Sequence, residues 1–227
     1  MAKNSPHKNT DHTIDSEYIR DLSEAQRMRR IDADFRRGFD ILQGNNNTVT
    51  FFGSARFDPS NQYYGAASQL AAKLSTQLGL GIVTGGGPGI MEAGNRGAFE
   101  AGGVALGMTI QLPHEQTTNP YVTDTADFYY FFSRKVALAF GAKAFVLFPG
   151  GFGTLDEFFE IITLMQTKKI PKVPVILYGE KFWSPILEVI EQTLKRDFET
   201  IDPEDTGLYL LTNSLDLAVN VIASSRS

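Results

Sequence analysis

Three glycines in four positions, Gly150, Gly151 and Gly153, lie within Pro149-Gly150-Gly151-Phe152-Gly153-Thr154-Leu155-Asp156-Glu157. The apolar run Ala144–Phe148 before them reads as a buried strand, and Phe158–Met165 after them as an apolar helix. The glycines therefore occupy a strand-to-helix turn. Without a Cβ the backbone can lie directly against a ligand. The first amides of a helix lack acceptors of their own and carry partial positive charge, so together with the Thr154 hydroxyl they suit an anion such as phosphate. Glu157 stands one turn inside, too deep to be only a cap. A carboxylate beside a phosphate cradle is electrostatically unfavourable, which points to chemistry in addition to binding. Taken alone, it also reads as an ordinary first-turn acid complementing the helix dipole.

A second cluster repeats the pattern. Leu80–Thr84 reads as a strand, and Gly85-Gly86-Gly87-Pro88-Gly89-Ile90-Met91-Glu92 as a turn entering a helix. Pro88 suits a first helical turn, where a missing N–H is harmless. Neither cluster completes G-x-G-x-x-G, because Ile90 and Asp156 stand where the last glycine would fall, and no G-K-[S/T] marks a P-loop. Each cluster alone is also explained by a tight turn with close helix–strand packing. Two in one chain, each after an apolar strand, point to a ligand site.

The elements that must position these residues follow from the rest of the chain. Its 227 residues, 42% hydrophobic and 21% charged, predict one globular domain with an appendage. A net charge of −5 excludes general nucleic-acid affinity. With no cysteine, disulfide and thiolate chemistry are out and a reducing cytoplasm is the expected compartment. Met1–Thr13 is polar without a signal-peptide core, and no run approaches the roughly 18 apolar residues of a membrane span. His7, His12 and His114 have no clustered partners, so neither metal nor cofactor is expected.

Residues 1–44 read as a disordered tail to about residue 14, followed by an amphipathic helix from Ser16 to about Gln43. Its apolar stripe is Tyr18, Leu22, Ala25, Met28, Ile31, Phe35, Phe39 and Leu42, to be buried on the domain or against a second subunit. Six arginines balance six acids on the polar face (Glu17, Asp21, Glu24, Asp32, Asp34 and Asp40), which reads as a solvated, salt-bridged surface. From residue 45 to 227, strands alternate with helices. The strands are Val49–Phe52, Leu80–Thr84, Val104–Ile110, Ala144–Phe148 and Val173–Tyr178. The helices are Tyr64–Leu78, Gly89–Ala101, one from Ser133, Phe158–Met165, Phe182–Arg196 and Leu215–Ile222. A loop, 111–125, leads to an aromatic stretch, Phe128–Phe132. This is an α/β pattern, a Rossmann-like doubly wound parallel sheet with helices on both faces. Ligands bind such sheets beyond the carboxyl ends of the strands, where the strand order reverses. Gly53-Ser54-Ala55-Arg56, the turn with Gly86, Gly87 and Gly89, Ser133-Arg134-Lys135 and the Gly150 turn all follow strands and fall on that rim.

The pair Arg134-Lys135, followed by Pro149-Gly150-Gly151-Phe152-Gly153-Thr154-x-x-Glu157, resembles the LONELY GUY phosphoribohydrolases, often labelled lysine decarboxylases. The resemblance covers roughly residues 49–196, and Thr84–Ala93 and Phe52–Arg56 resemble bacterial members with extended termini. Short plant-type members usually carry glycine where Glu92 stands and Glu where Asp156 stands. The resemblance implies cleavage of the N-glycosidic bond of a nucleoside 5′-monophosphate, of AMP or cytokinin-nucleotide type, to free base and ribose 5-phosphate. It implies Arg134 and Glu157 as the catalytic pair. The nucleotide site would comprise Glu115, Lys135, Gly151, Phe152, Gly153, Thr154, Leu155, Asp156 and Thr163, with Ser54, Gly86, Gly87, Gly89 and Gly150 on the rim. A homodimer or higher homo-oligomer is implied as well.

Breaking a ribosyl–base bond builds positive charge on the sugar, which a nearby carboxylate stabilises, or it orients the attacking water. Arg134 stays protonated and cannot act as a base. It can hold phosphate or hydroxyls, or stabilise the departing base. Thr163 either faces solvent or shares a polar face with Glu157 and Glu160, and Arg56 and Glu92 are either ligand-facing or surface charges. Two other functions compete. A non-catalytic nucleotide- or molybdenum-cofactor-binding protein would bind without turnover. A pyridoxal-phosphate decarboxylase would need a Schiff-base lysine, for which Lys143 at a strand edge is a poor candidate.

Overall fold

A computed structural model describes residues 22–111 and 117–226. The expected tail, the first part of the expected Ser16 helix, and Glu115 lie outside the described residues. The elements, in chain order, are α1 (Glu24–Gln43), β1 (Thr48–Phe52), α2 (Gln62–Leu78), β2 (Gly81–Thr84), α3 (Ile90–Glu100), β3 (Ala105–Ile110), β4 (Asp124–Phe128), α4 (Phe131–Ala139), β5 (Ala142–Leu147), α5 (Phe152–Gln166), β6 (Val175–Tyr178), α6 (Glu180–Val189), β7 (Leu210–Thr212) and α7 (Leu215–Ser224). All seven strands are parallel, in the order β4-β3-β2-β1-β5-β6-β7. The order reverses between β1 and β5.

Alternation along each strand divides the core into two layers. In β5, Ala144 and Val146 face α2, α3 and α7, while Phe145 and Leu147 face α4, α5 and α6. Both faces are covered, so the central strands are apolar throughout, and β1 is buried at all five positions. Caps set the helix ends. The Asn61 side chain accepts from the Tyr63 amide at the start of α2, and Gly79, at φ 63°, ends that helix. Trp183 of α6 is fully buried, with its ring 5.3 Å from that of Phe158 and its indole N–H donating to the Leu147 carbonyl at 3.2 Å.

Three boundaries differ from the sequence reading. The aromatic stretch 128–132 is the end of β4 and the start of α4, because Phe128 is buried in the sheet layer while Phe131 and Phe132 lie on an exposed helical face. Helix α5 starts at Phe152, so the glycines lead straight into it. The helix expected to run to Arg196 becomes π-helical from Ile190 to Asp197. The strand β7 has only three residues and no alternation long enough to be read.

Helix α1 also docks differently. Its fully or nearly buried positions are Asp34, Gly38, Ile41 and Leu42, while Met28 of the expected stripe is 60% exposed. Gly38 lets α1 press onto β4 and α4, since a Cβ there would sit 2.8 Å from the Phe128 ring and 3.0 Å from the Ala137 methyl. Asp34, expected on the solvated face, is fully buried. Among the described residues no helix is long and apolar enough to cross a membrane.

Candidate active site

The reversal of strand order parts the chain at the ends of β1 and β5, and three loops are stitched across the gap. The Phe148 amide donates to the Phe52 carbonyl at 2.9 Å, the Ser54 amide to the Pro149 carbonyl at 3.0 Å, and the Ile90 amide to the Ser54 carbonyl at 3.0 Å. The Ser54 hydroxyl is used locally, accepting from the Arg56 amide at 3.1 Å. Thus Ser54, the Gly85–Gly89 turn and the Gly150–Gly153 turn share one rim.

Helix α5 opens at Gly151 without a side-chain cap. The Thr154 and Leu155 amides return to the Gly151 carbonyl at 3.1 and 3.2 Å. Among the described residues the Phe152 and Gly153 amides find no acceptor. A Cβ at Gly151 or Gly153 would meet no protein atom within 4 Å, whereas one at Gly150 would overlap the buried Thr154 hydroxyl. Phe152 is 93% exposed at this mouth, and Leu155 packs inward on the core.

Across the rim, α4 carries Arg134 and Lys135 back towards α5. The Arg134 Nε donates to the Met108 carbonyl at 2.7 Å at the end of β3, and a terminal nitrogen reaches the Gly85 carbonyl at 3.5 Å. Gly85 makes room for it: a Cβ there would overlap the guanidinium and lie 2.7 Å from the Met91 sulfur. Burial lowers the Arg134 pKa, and the nearby Glu157 charge opposes that shift. Lys135 ties α4 to α5 through Asp156 at 2.8 Å and Glu160 at 2.5 Å. Burial works against its charge, but those two acids and Glu157 outweigh it and raise its pKa.

Burial pushes the Glu157 carboxyl from 4.5 up to about 7, against the pull of Lys135 and Arg134 and with help from Glu160 and Asp156. Arg134 and Glu157, contributed by separate helices, therefore lie within each other's field. A half-ionised acid beside a fixed cation, next to unpaired helix amides, is an arrangement that can hold an anion and act on what is attached to it.

The other expected residues have partners of their own. Gly86 and Gly89 have φ of 72° and 71°; the carbonyls of Gly86, Gly87 and Gly89 in this turn are taken, while among the described residues the Gly87 and Gly89 amides find no acceptor. The Gly86 amide donates to the Thr84 hydroxyl at 2.9 Å, and the Gly86 and Gly87 carbonyls accept from the Asn119 amide (2.8 Å) and side chain (3.0 Å). Thr163 is exposed and its hydroxyl donates to the Phe159 carbonyl at 2.7 Å. Glu92 accepts from the Tyr64 hydroxyl at 2.7 Å and so links α3 to α2. Lys143 is exposed near the start of β5, at the end of the sheet away from the glycine turns. Sequence reasoning missed the buried set Thr84, Asn95 and Asn119, in which the Asn95 side-chain oxygen accepts from Thr84 at 2.6 Å and from Asn119 at 2.9 Å. An asparagine inside an apolar helical pattern was the available signal. Met91, beside Arg134, gave none.

Parts of the chain are similar to proteins of known name. A cytokinin riboside 5′-monophosphate phosphoribohydrolase of Rhodococcoides fascians is 31% identical over 91 residues, 40% of this chain and 45% of the relative. The cytokinin riboside 5′-monophosphate phosphoribohydrolase LOG of Oryza sativa subsp. japonica is 41% identical over 66 residues, 29% of this chain and 27% of the relative. The matches thus span less than half of either curated relative. Among solved structures, the molybdenum cofactor binding protein of Rippkaea orientalis has a TM-score of 0.58 at 16% identity, over 79% of this chain and 96% of that one. The molybdenum cofactor carrier protein of Chlamydomonas reinhardtii has 0.57 at 21%, over 79% and 98%. These two share the fold. The model of a family described as possible lysine decarboxylase matches residues 91–222, more than half of the chain, and the protein belongs to that family, the LONELY GUY family.

Proposed function

We propose that the protein hydrolyses the N-glycosidic bond of a nucleoside 5′-monophosphate, releasing free base and ribose 5-phosphate. The observation that carries this reading is a half-buried glutamate, Glu157, with its pKa raised to about 7 beside Arg134, one turn inside a helix whose opening amides are unpaired. The 5′-phosphate is held by the Phe152 and Gly153 amides, which fixes the ribose over Glu157 and converts binding into orientation. As the ribosyl–base bond lengthens, the Glu157 carboxylate stabilises positive charge on the sugar or orients the water that attacks it. Arg134, locked through Nε by Met108, presents its terminal nitrogens to substrate oxygens or to charge building on the base. Base type is left to the neighbouring walls, and the cytokinin or adenine preference is part of the proposal. A panel of nucleoside monophosphates assayed for free base tests it. AMP is turned over at least tenfold better than adenosine if the phosphate is gripped, and equal turnover would sink the proposal. Binding without turnover would identify a carrier.

The active unit we propose is a homodimer or higher homo-oligomer. Phe131, Phe132 and Val136 on α4, with Phe140 after its end, and Phe152 and Phe159 on α5 are all exposed, on two helices tied together by Lys135. A monomeric mass by light scattering with full activity overturns this. The absence of cysteine from all 227 residues supports a cytoplasmic location.

A further inference from the structure

Helix α4 is nine residues long, too short to hold its own position, and the residue before it, Tyr130, supplies no side-chain cap. Its entry is held from elsewhere. Asp34, in the middle of α1, is 0% exposed, and its carboxylate faces the start of α4. One oxygen accepts from the Tyr129 amide at 3.1 Å and pairs with Arg37 at 2.7 Å. The other accepts from the Tyr129 amide at 3.1 Å, the Tyr130 amide at 3.0 Å and the Ser133 hydroxyl at 2.6 Å. One turn before Asp34, the Arg30 guanidinium lies 4.2 Å from the centre of the Tyr129 ring. One turn after it, Gly38 brings α1 against Phe128 and Ala137. Arg30, Asp34 and Gly38 thus form one line of contact at four-residue spacing.

A buried carboxylate is costly unless its lone pairs are taken, and here they are. Its negative charge also complements the positive end of α4. The residue after Ser133 is Arg134. A guanidinium stands about 6 Å from its helix axis, so a rotation of α4 by about 10° displaces it by roughly 1 Å, a misplacement that can reduce a rate about a hundredfold.

We propose that Asp34 is a positioning residue for the reaction. From α1, outside the stretch 91–222 matched by the family model, it holds the two residues entering α4 and the Ser133 hydroxyl, and so fixes the rotation at which Arg134 meets the Met108 carbonyl and faces Glu157. The proposal rests on the phosphoribohydrolase reading for the role of Arg134, and on the geometry for everything else. The N-terminal helix is then part of the active-site scaffold.

The test uses the full-length chain, 15N-labelled, well below its melting temperature. The Arg134 Nε–H signal is assigned by its loss in Arg134→Lys, and its solvent exchange is compared in the parent and in Asp34→Asn, which keeps the shape but loses the charge and one acceptor. Exchange at least tenfold faster, with kcat for AMP down at least tenfold and KM changed by less than about threefold, is expected. Arg36→Ala, which breaks only the exposed Asp32 pair on α1, leaves both unchanged. Parent-like exchange in folded Asp34→Asn overturns the proposal whatever the turnover. If Asp34→Asn does not fold, Ser133→Ala removes a single contact of Asp34 with α4, and unchanged exchange and kcat there overturn it equally. A parent chain that releases no base from any nucleoside monophosphate removes the proposed function, while the exchange comparison still decides whether Asp34 holds Arg134.

Discussion

The two glycine turns have similar composition and opposite physical roles. At Gly85–Gly89 the missing side chains are replaced by protein: Arg134 and Met91 at Gly85, Thr109 at Gly86, and the Ser54 carbonyl with Ala55 at Gly89. Its Gly86 amide and its Gly86 and Gly87 carbonyls bond to Thr84 and Asn119, and the turn is buried at every glycine. At Gly150–Gly153 only Gly150 is packed, against Thr154; the backbone of Gly151 is ordinary (φ −92°), a Cβ at Gly151 or Gly153 would point into open space, and the first helix amides are unpaired at an exposed mouth. One turn uses glycine to be packed tightly; the other uses it to stay uncovered. A glycine cluster after a strand is therefore no ligand signal until the surroundings of each missing Cβ are known.

Substitutions that treat the two turns alike should separate them. The largest effect is expected at Gly89→Ala. Its φ of 71° with ψ of −129° is strained for any L residue, and the new methyl overlaps the Ser54 carbonyl. A loss of about 3 kcal/mol or more in denaturant unfolding is expected. A variant as stable as the parent would show that the turn has room after all.

Next, Glu157→Gln tests whether the open turn serves chemistry. Turnover of AMP should fall at least about a hundredfold, roughly 3 kcal/mol, with nucleotide affinity retained or improved. In the parent, with the carboxyl near 7, kcat/KM rises with pH through about 7 to a plateau, a limb the variant lacks. A variant close to the parent rate would make this carboxylate a plain first-turn acid.

The same substitution has a stability signature. A carboxyl raised from 4.5 to about 7 contributes fully to stability below about pH 4.5, and that contribution is lost as pH rises through 7. Glu157→Gln should thus be more stable than the parent at pH 8, by about 1–3 kcal/mol in denaturant unfolding, with the gap closing towards pH 4. An unchanged gap across that range would deny the burial cost.

The smallest effect is expected at Gly151→Ala. Its backbone suits alanine, so stability should rise by about 0.5 kcal/mol, while KM for AMP should increase about tenfold as the methyl enters the space assigned to phosphate. Unchanged KM would make both turns mere packing devices.

Most of the sheet was legible because its strands are unbroken apolar runs between turn residues, as at Ala144–Phe148. Both glycine turns were visible, but their difference was not, since it lies in residues distant in sequence such as Asn119 and Arg134. Arg134 and Glu157 were singled out through family spacing. No local pattern shows that helices starting at Phe131 and Phe152 bring them into one field. Asp34 was misplaced for a related reason. In a segment with balanced charges every acid looks solvated, and only the arrival of amides from 95 and 96 residues away gives this one a partner.

Trp183 gives the molecule an internal optical reporter. It is the single tryptophan of the chain, sealed from solvent, its ring tilted against that of Phe158 one residue after Glu157, and hydrogen-bonded to Leu147 three residues before Gly150. Its emission should be blue-shifted and hard to quench with iodide. Any ligand that shifts the start of α5 should change its intensity, so nucleotide titrations need no added dye. An emission spectrum unmoved by a nucleotide that demonstrably binds would mean that binding leaves α5 in place.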